Sequence, residues 1–230
     1  MREIVFDTET TGFDPKGGHR LVEIGCIELV NRVPTGAVFH RYFDPERDMP
    51  AEAEAVHGLS AAFLTGKPKF VEHAAELLEF LGDAPLIAHN AAFDFGFLNA
   101  ELAACGFDPV SLDQMIDTIA MARRKHPGAK LSLDALCSRY GIDRSHRTKP
   151  GALLDAELLA QLYVELLGGR QIGLELAAEA ATSEAAPDLA VPGATPRPFR
   201  APRPHGPSAA ELARHGEFMA GFADPLWSRG

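Results

Sequence analysis

Four acidic residues fall where strands and helices are expected to begin or end, and together they could share cations. Asp7 and Glu9 are two apart in the segment DTETTG. In a strand that spacing puts both carboxylates on one face of the sheet. Asp94, in HNAAFD, and Asp155, in GALLD, each fall about one turn into an expected helix. Taken singly, each acid has an ordinary explanation. An acid at a strand end is usually solvated, and one in a first helical turn complements the helix dipole. Converging at element ends, four carboxylates make a hard-oxygen site suited to Mg²⁺ or Mn²⁺.

The elements that must position these residues are legible in outline. Residues 3–7, Leu21 to Val30 and Val38 to Phe43 are apolar runs of strand length, and they predict an antiparallel start to a sheet. A helical pattern follows, with Phe70, Ala74, Leu77, Leu78 and Leu81 at three- and four-residue spacing before Gly82. Residues 85–88 predict a short buried strand, and Ala91 to Cys105 a helix stopped by Gly106. Met115 to Ile119 reads as another strand. Ser132 to Tyr140 reads as a helix capped by Ser132 and ended by Gly141. Ala152 to Leu167 is the longest periodic segment, ended by Gly168 and Gly169. Strands followed by interleaved helices predict a three-layer α/β domain over roughly residues 1–170.

Beyond that domain the composition changes. From 177 to 207 the chain is Ala- and Pro-rich, with prolines at 187, 192, 196, 198, 202, 204 and 207. Such a segment buries too little apolar surface to offset its ordering entropy, which predicts a flexible linker. Residues 208–230 regain an apolar pattern in Leu212, Phe218, Met219, Phe222, Leu226 and Trp227. A short helical tail beyond a linker suits a tethered docking segment; the alternative is a helix packed back on its own domain.

The bulk numbers bound the function. No run of about 18 apolar residues occurs, and the N-terminus carries charges where a signal peptide would be apolar. Cys26, Cys105 and Cys137 are widely spaced, with no zinc-knuckle or redox spacing, so they read as core residues in a reducing cytoplasm. A net charge of −10 argues against broad duplex binding, which depends on basic residues. It is compatible with an enzyme that grips a few nucleotides through metal ions.

DTETTG, HNAAFD and GALLD resemble the three exonuclease motifs of the DEDD superfamily. The resemblance continues through EIG at 23–25, VHGL at 56–59, SLDAL at 132–136 and the GGRQ that ends the last helix. It points in particular to the epsilon-type proofreading exonucleases of bacterial DNA polymerase III, over about residues 1–176 and more loosely over the tail. The resemblance implies a ribonuclease H-like fold with a mixed sheet, and phosphodiester cleavage from a 3′ end with two divalent metal ions. It further implies that Asp7 bridges both metals, that Glu9 and Asp155 bind the first, and that Asp94 acts mainly through water. Glu52 and His57 match family positions that contact the terminal nucleotide, and Asp7 and Glu9 are expected to bind substrate as well.

One position departs from that pattern. The general-base histidine of the family stands five residues before the last aspartate, and here that residue is Pro150. Proline has nothing to titrate. His146 lies four residues earlier, close enough along the chain to substitute as the base, although a solvated loop histidine is its ordinary reading. Two partner segments complete the expectations. Gln171, Leu174 and Leu176 resemble a peptide that docks on the sliding clamp. Phe218, Phe222, Leu226 and Trp227 resemble the anchors by which the tail binds the polymerase α subunit. The leading reading is a proofreading exonuclease; the alternative is a weakened subunit kept as a bridge between polymerase and clamp.

Overall fold

The structure, a computed structural model, describes residues 1–145, 151–169 and 206–221. Contacts divide the chain into two units, Met1–Glu175 and Leu176–Gly230. In the first unit, β1 (Arg2–Thr10) pairs antiparallel with β2 (Leu21–Val30). β2 in turn pairs antiparallel with β3 (Val33–Tyr42). Asn31 and Arg32 both have positive φ, as a two-residue hairpin turn with the sheet's twist requires. β3 therefore starts at Val33, earlier than the Val38 that the apolar pattern indicates. It is an edge strand with mostly exposed residues up to Val38, which is where Pro34 and Gly36 are tolerated.

Two short helices follow, α1 (Ala51–His57) and α2 (Ala61–Leu64), neither of which shows an apolar stripe in the sequence. Then come α3 (Phe70–Leu81), β4 (Leu86–Ala88), α4 (Ala91–Ala104) and β5 (Met115–Asp117). β4 is parallel to β1 and β5 is parallel to β4, so the sheet is mixed, in the order β3-β2-β1-β4-β5. The strand expected over 115–119 stops at Asp117. That carboxylate accepts from the Ile119 N–H and caps α5 (Thr118–Lys125), drawing the chain into a helix. α6 (Leu133–Tyr140) and α7 (Ala152–Leu166) finish the unit.

Alternation along β1 feeds two cores. Ile4 and Phe6 pack on one face with Phe70, Leu77, Phe95 and Leu98 of α3 and α4. Val5 packs on the other with Leu136 of α6 and Leu159 and Leu162 of α7. Each fully buried Leu or Phe contributes about 1.5–3 kcal/mol, so together these layers hold β1 at the centre. Buried polar ties add register. Arg20 donates two hydrogen bonds to Glu101, and the Tyr163 hydroxyl donates to Glu3 at 2.7 Å, joining α7 to the start of β1. Cys26 and Cys137 are buried, and burial pushes the Cys26 thiol far up, as an inert core residue requires.

In the second unit, α8 (Ala209–Ala220) opens on a capping box between Ser208 and Glu211. Leu212 and Phe218 on it are exposed. The other expected anchors, Gln171, Leu174, Leu176, Phe222, Leu226 and Trp227, lie outside the described residues, as does most of the 177–207 linker. No described helix is long and apolar enough to cross a membrane.

Candidate active site

β1 pairs with β4 only at Ile4 and Val5, so its later residues project beyond the carboxyl ends of the parallel strands. Open α/β sheets bind ligands at that edge. Asp7 and Glu9 stand there on the α7 face, and Thr8 stands between them on the α4 face. α4 begins three residues after β4, which brings Asp94 in its first turn up to Thr8. The Thr8 hydroxyl donates to Asp94 Oδ1 at 2.7 Å.

α7 brings Asp155 in from the opposite layer, and a glycine allows it. Gly25 is the cross-strand partner of Asp7. A Cβ built at Gly25 would stand only 2.4 Å from the Leu153 N and Cα atoms. The start of α7 therefore rests directly on the backbone of β2. Asp7, Glu9 and Asp155 can each offer an oxygen within 4.8 Å of the others. Asp94 is not in that close group; it joins the site through Thr8 and through its field.

The electrostatics match a site that expects cations. Burial pushes the Asp7 carboxyl well above the usual carboxylate range, and the charges of Asp94, Glu9, Asp155 and Glu23 push it further. Asp94 is pushed up to about 7, mainly by burial, against the opposing hydrogen bond from Thr8. Like charges held this close repel unless a cation is shared. The donor set is all carboxylate oxygen, which fits Mg²⁺ or Mn²⁺ and disfavours softer metals.

Beside Glu9 opens a cavity of about 410 Å³, large enough for a nucleoside. Glu52 and His57 of α1 line it, with Thr10, Phe13, Val56, His19 and Phe93 also on its walls. His57 is buried, and burial holds its imidazolium form down while the Thr10 carbonyl opposes that shift. The Leu59 N–H donates to Nδ1 at 3.0 Å, which leaves the ring proton on Nε2. Among the described residues that buried Nε2 makes no hydrogen bond of ordinary geometry, the Thr10 carbonyl being the acceptor that acts on the ring. Phe13 is 88% exposed at the mouth of the cavity, and Val56 is 60% exposed. Sequence reading missed these apolar wall residues; the one available signal was a large aromatic directly after DTETTG. His146 and Pro150 lie outside the described residues.

Residues 4–163 match the family model described as Exonuclease. A DNA polymerase III subunit epsilon of Rickettsia conorii is 47% identical over 223 residues, covering 96% of each chain. The Escherichia coli DNA polymerase III subunit epsilon is 45% identical over 190 residues, covering 80% of this chain and 78% of that protein. Among solved structures, exonuclease X in complex with 5′-overhanging duplex DNA aligns with a TM-score of 0.55 at 24% identity, over 72% of this chain and 90% of that one. An Escherichia coli exonuclease I–single-stranded DNA complex in its zinc-bound form aligns with a TM-score of 0.63 at 18% identity, over 74% and 41%. Those two likenesses speak to the fold alone. The model match and the curated relatives together place the chain: it belongs to the Exonuclease family and is a homologue of DNA polymerase III epsilon subunits.

Proposed function

We propose that this chain is the proofreading 3′→5′ exonuclease subunit of a bacterial replicative DNA polymerase, removing mispaired 3′-terminal nucleotides by hydrolysing the last phosphodiester. The observation that carries the reading is the adjacency of three close carboxylates and a nucleoside-sized cavity, joined at Glu9. Two divalent cations, when bound, supply an activated water and stabilise the leaving 3′ oxygen. Asp7, Glu9 and Asp155 would hold the cations, and Asp94 would act through water from its place beside Thr8. Phe13, Val56 and Phe93 offer apolar surface for the terminal base, which a frayed strand leaves unstacked. His57 and Glu52 on the cavity wall are the groups proposed to contact the terminal nucleotide. Only one unpaired end is gripped, which agrees with a net charge of −10.

Pro150 supports a second reading, in which the chain is a slowed enzyme serving mainly as a bridge between polymerase and sliding clamp. Lack of a general base costs about 10²–10⁴ in rate. The test is degradation of a 3′-mispaired primer with Mg²⁺ or Mn²⁺. Pro150→His should be at least about tenfold faster than the parent. No gain, with a large loss in His146→Ala, assigns the base to His146. Equal and negligible rates in all three proteins favour the bridge. The tail, through Phe218, Phe222, Leu226 and Trp227, is the proposed contact with the polymerase α subunit. Gln171, Leu174 and Leu176 are the proposed contact with the clamp.

A further inference from the structure

A fifth carboxylate lies beside the acidic centre with no role in the reaction so far described. Glu23 of β2 is the direct cross-strand partner of Glu9, so both side chains share the face that α7 covers. Glu23 is 2% exposed. Its Oε1 is 2.7 Å from His40 Nε2, the Tyr42 hydroxyl also bonds to the carboxylate, and among the described residues its buried Oε2 has no partner in ordinary hydrogen-bond geometry. The next strand outward places Tyr42 opposite Glu23 and His40 opposite Gly25. Above the carboxylate sits Gly151, where a Cβ would be 3.9 Å from both oxygens. Glu23 therefore lies under the first residues of α7, between the helix that brings Asp155 and the strand that carries Glu9.

A structural explanation covers only part of this. His40 and the Tyr42 hydroxyl hold one side of the carboxylate, and a buried carboxylate whose other oxygen meets no well-placed donor among the described residues is costly to keep. An amide or an apolar residue would fill the same space without adding negative charge to a centre that already repels itself. The charge acquires a purpose if the centre is occupied by a cation and its waters, because an outer acceptor then orients water and adds attraction.

We propose that Glu23 is a positioning residue for the metal centre: it attracts the cation and orients its water from the Glu9 side, and His40 holds its carboxylate in place. The inference rests on the reading of Asp7, Glu9 and Asp155 as metal ligands, and the controls separate the two. The assay is calorimetric titration of Mn²⁺ into the full chain without DNA, with melting followed in EDTA. Glu23→Gln keeps the shape and removes the charge, and should weaken Mn²⁺ binding by about 10- to 100-fold, the usual span for an outer partner of a metal ligand. Its melting temperature in EDTA should be unchanged or higher, since a buried negative charge has been removed. Glu23→Asp, which keeps the charge, should recover part of the affinity. His40→Gln should weaken binding less than Glu23→Gln and add nothing in the double variant. On a primer substrate, Glu23→Gln should lower kcat at limiting Mn²⁺, recover at saturating Mn²⁺ and leave KM for DNA within about twofold. A folded Glu23→Gln protein that binds Mn²⁺ as tightly as the parent overturns the proposal. So does one that merely melts earlier in EDTA. Should Asp7→Asn also bind Mn²⁺ as the parent does, the failure lies in the metal centre itself rather than in Glu23.

Discussion

Gly25→Ala is the smallest perturbation that should separate the carboxylates. The added methyl would stand 2.4 Å from the Leu153 N and Cα atoms, whereas ordinary contact begins near 3.4 Å. Both obstructing atoms are backbone, so no side chain can rotate away. The first turn of α7 must then retreat by about 1 Å, the difference between those two distances. Asp155 rides on that turn, while Asp7 and Glu9 stay with β1. A displacement of about 1 Å in catalytic geometry costs on the order of 10²-fold in rate. Overpacking of this kind also destabilises by about 1–3 kcal/mol. The assays are single-turnover digestion of a 5′-labelled single strand, Mn²⁺ titration and thermal melting. Gly25→Ala should remain folded, lose about two orders of magnitude in rate and bind Mn²⁺ more weakly. A variant with the parent's rate and metal affinity would falsify the claim that α7 is seated by that glycine.

Three further outcomes are expected. Asp7→Ala or Asp155→Ala should abolish nuclease activity and weaken Mn²⁺ binding, since no neighbour replaces the lost ligand; calorimetry on both variants checks it. In EDTA, stability should fall as pH rises. Asp94 has a folded-state pKa of about 7 against an ordinary 3.8, so between those values the folded protein holds the proton that the unfolded chain releases. Melting at pH 5 should therefore exceed that at pH 8, and Mn²⁺ should close the gap; a flat profile without metal contradicts the assigned cause. Truncation after Arg170 should leave digestion of free single strands unchanged and abolish co-purification with the polymerase. A truncated protein that still binds the polymerase fully would refute the tail's role.

What the sequence revealed depended on how much of each element is buried on one side. β1 was legible because its apolar run ends in two acids of the same parity, and α7 because nearly every third or fourth residue enters the core. β3 was half-visible. Its first residues face solvent along an edge, and exposed strands carry no alternation to detect. α1 was missed for the same reason: AEAEAVH buries only His57. Its Ala and Glu content, favourable to helices, was the one available hint. The site divided along similar lines. Asp7, Glu9, Asp94 and Asp155 stood out as a set, through motifs that resemble those of the DEDD exonucleases, and not singly. Gly25 was marked only as part of EIG at 23–25, with no role attached, because close approach of a backbone leaves no sign beyond the glycine itself. Glu23 looked like one acid within an apolar strand, and only the register with β1 put it beside Glu9.

The placement of β1 bears on when the nuclease comes into being. β1 is the first strand synthesised, yet it ends in the middle of the sheet, and its decisive partners arrive late. Thr8 waits 86 residues for Asp94, and Glu3 waits 160 for Tyr163. Closing such long intervals of chain is entropically slow, and contacts of this range retard folding more than local ones do. A nascent chain that has left the ribosome only as far as α6 carries the residues of β1 and of the cavity wall but not Asp155, the third close carboxylate. The three close carboxylates therefore come together only when α7 docks, as the last described element of the first unit.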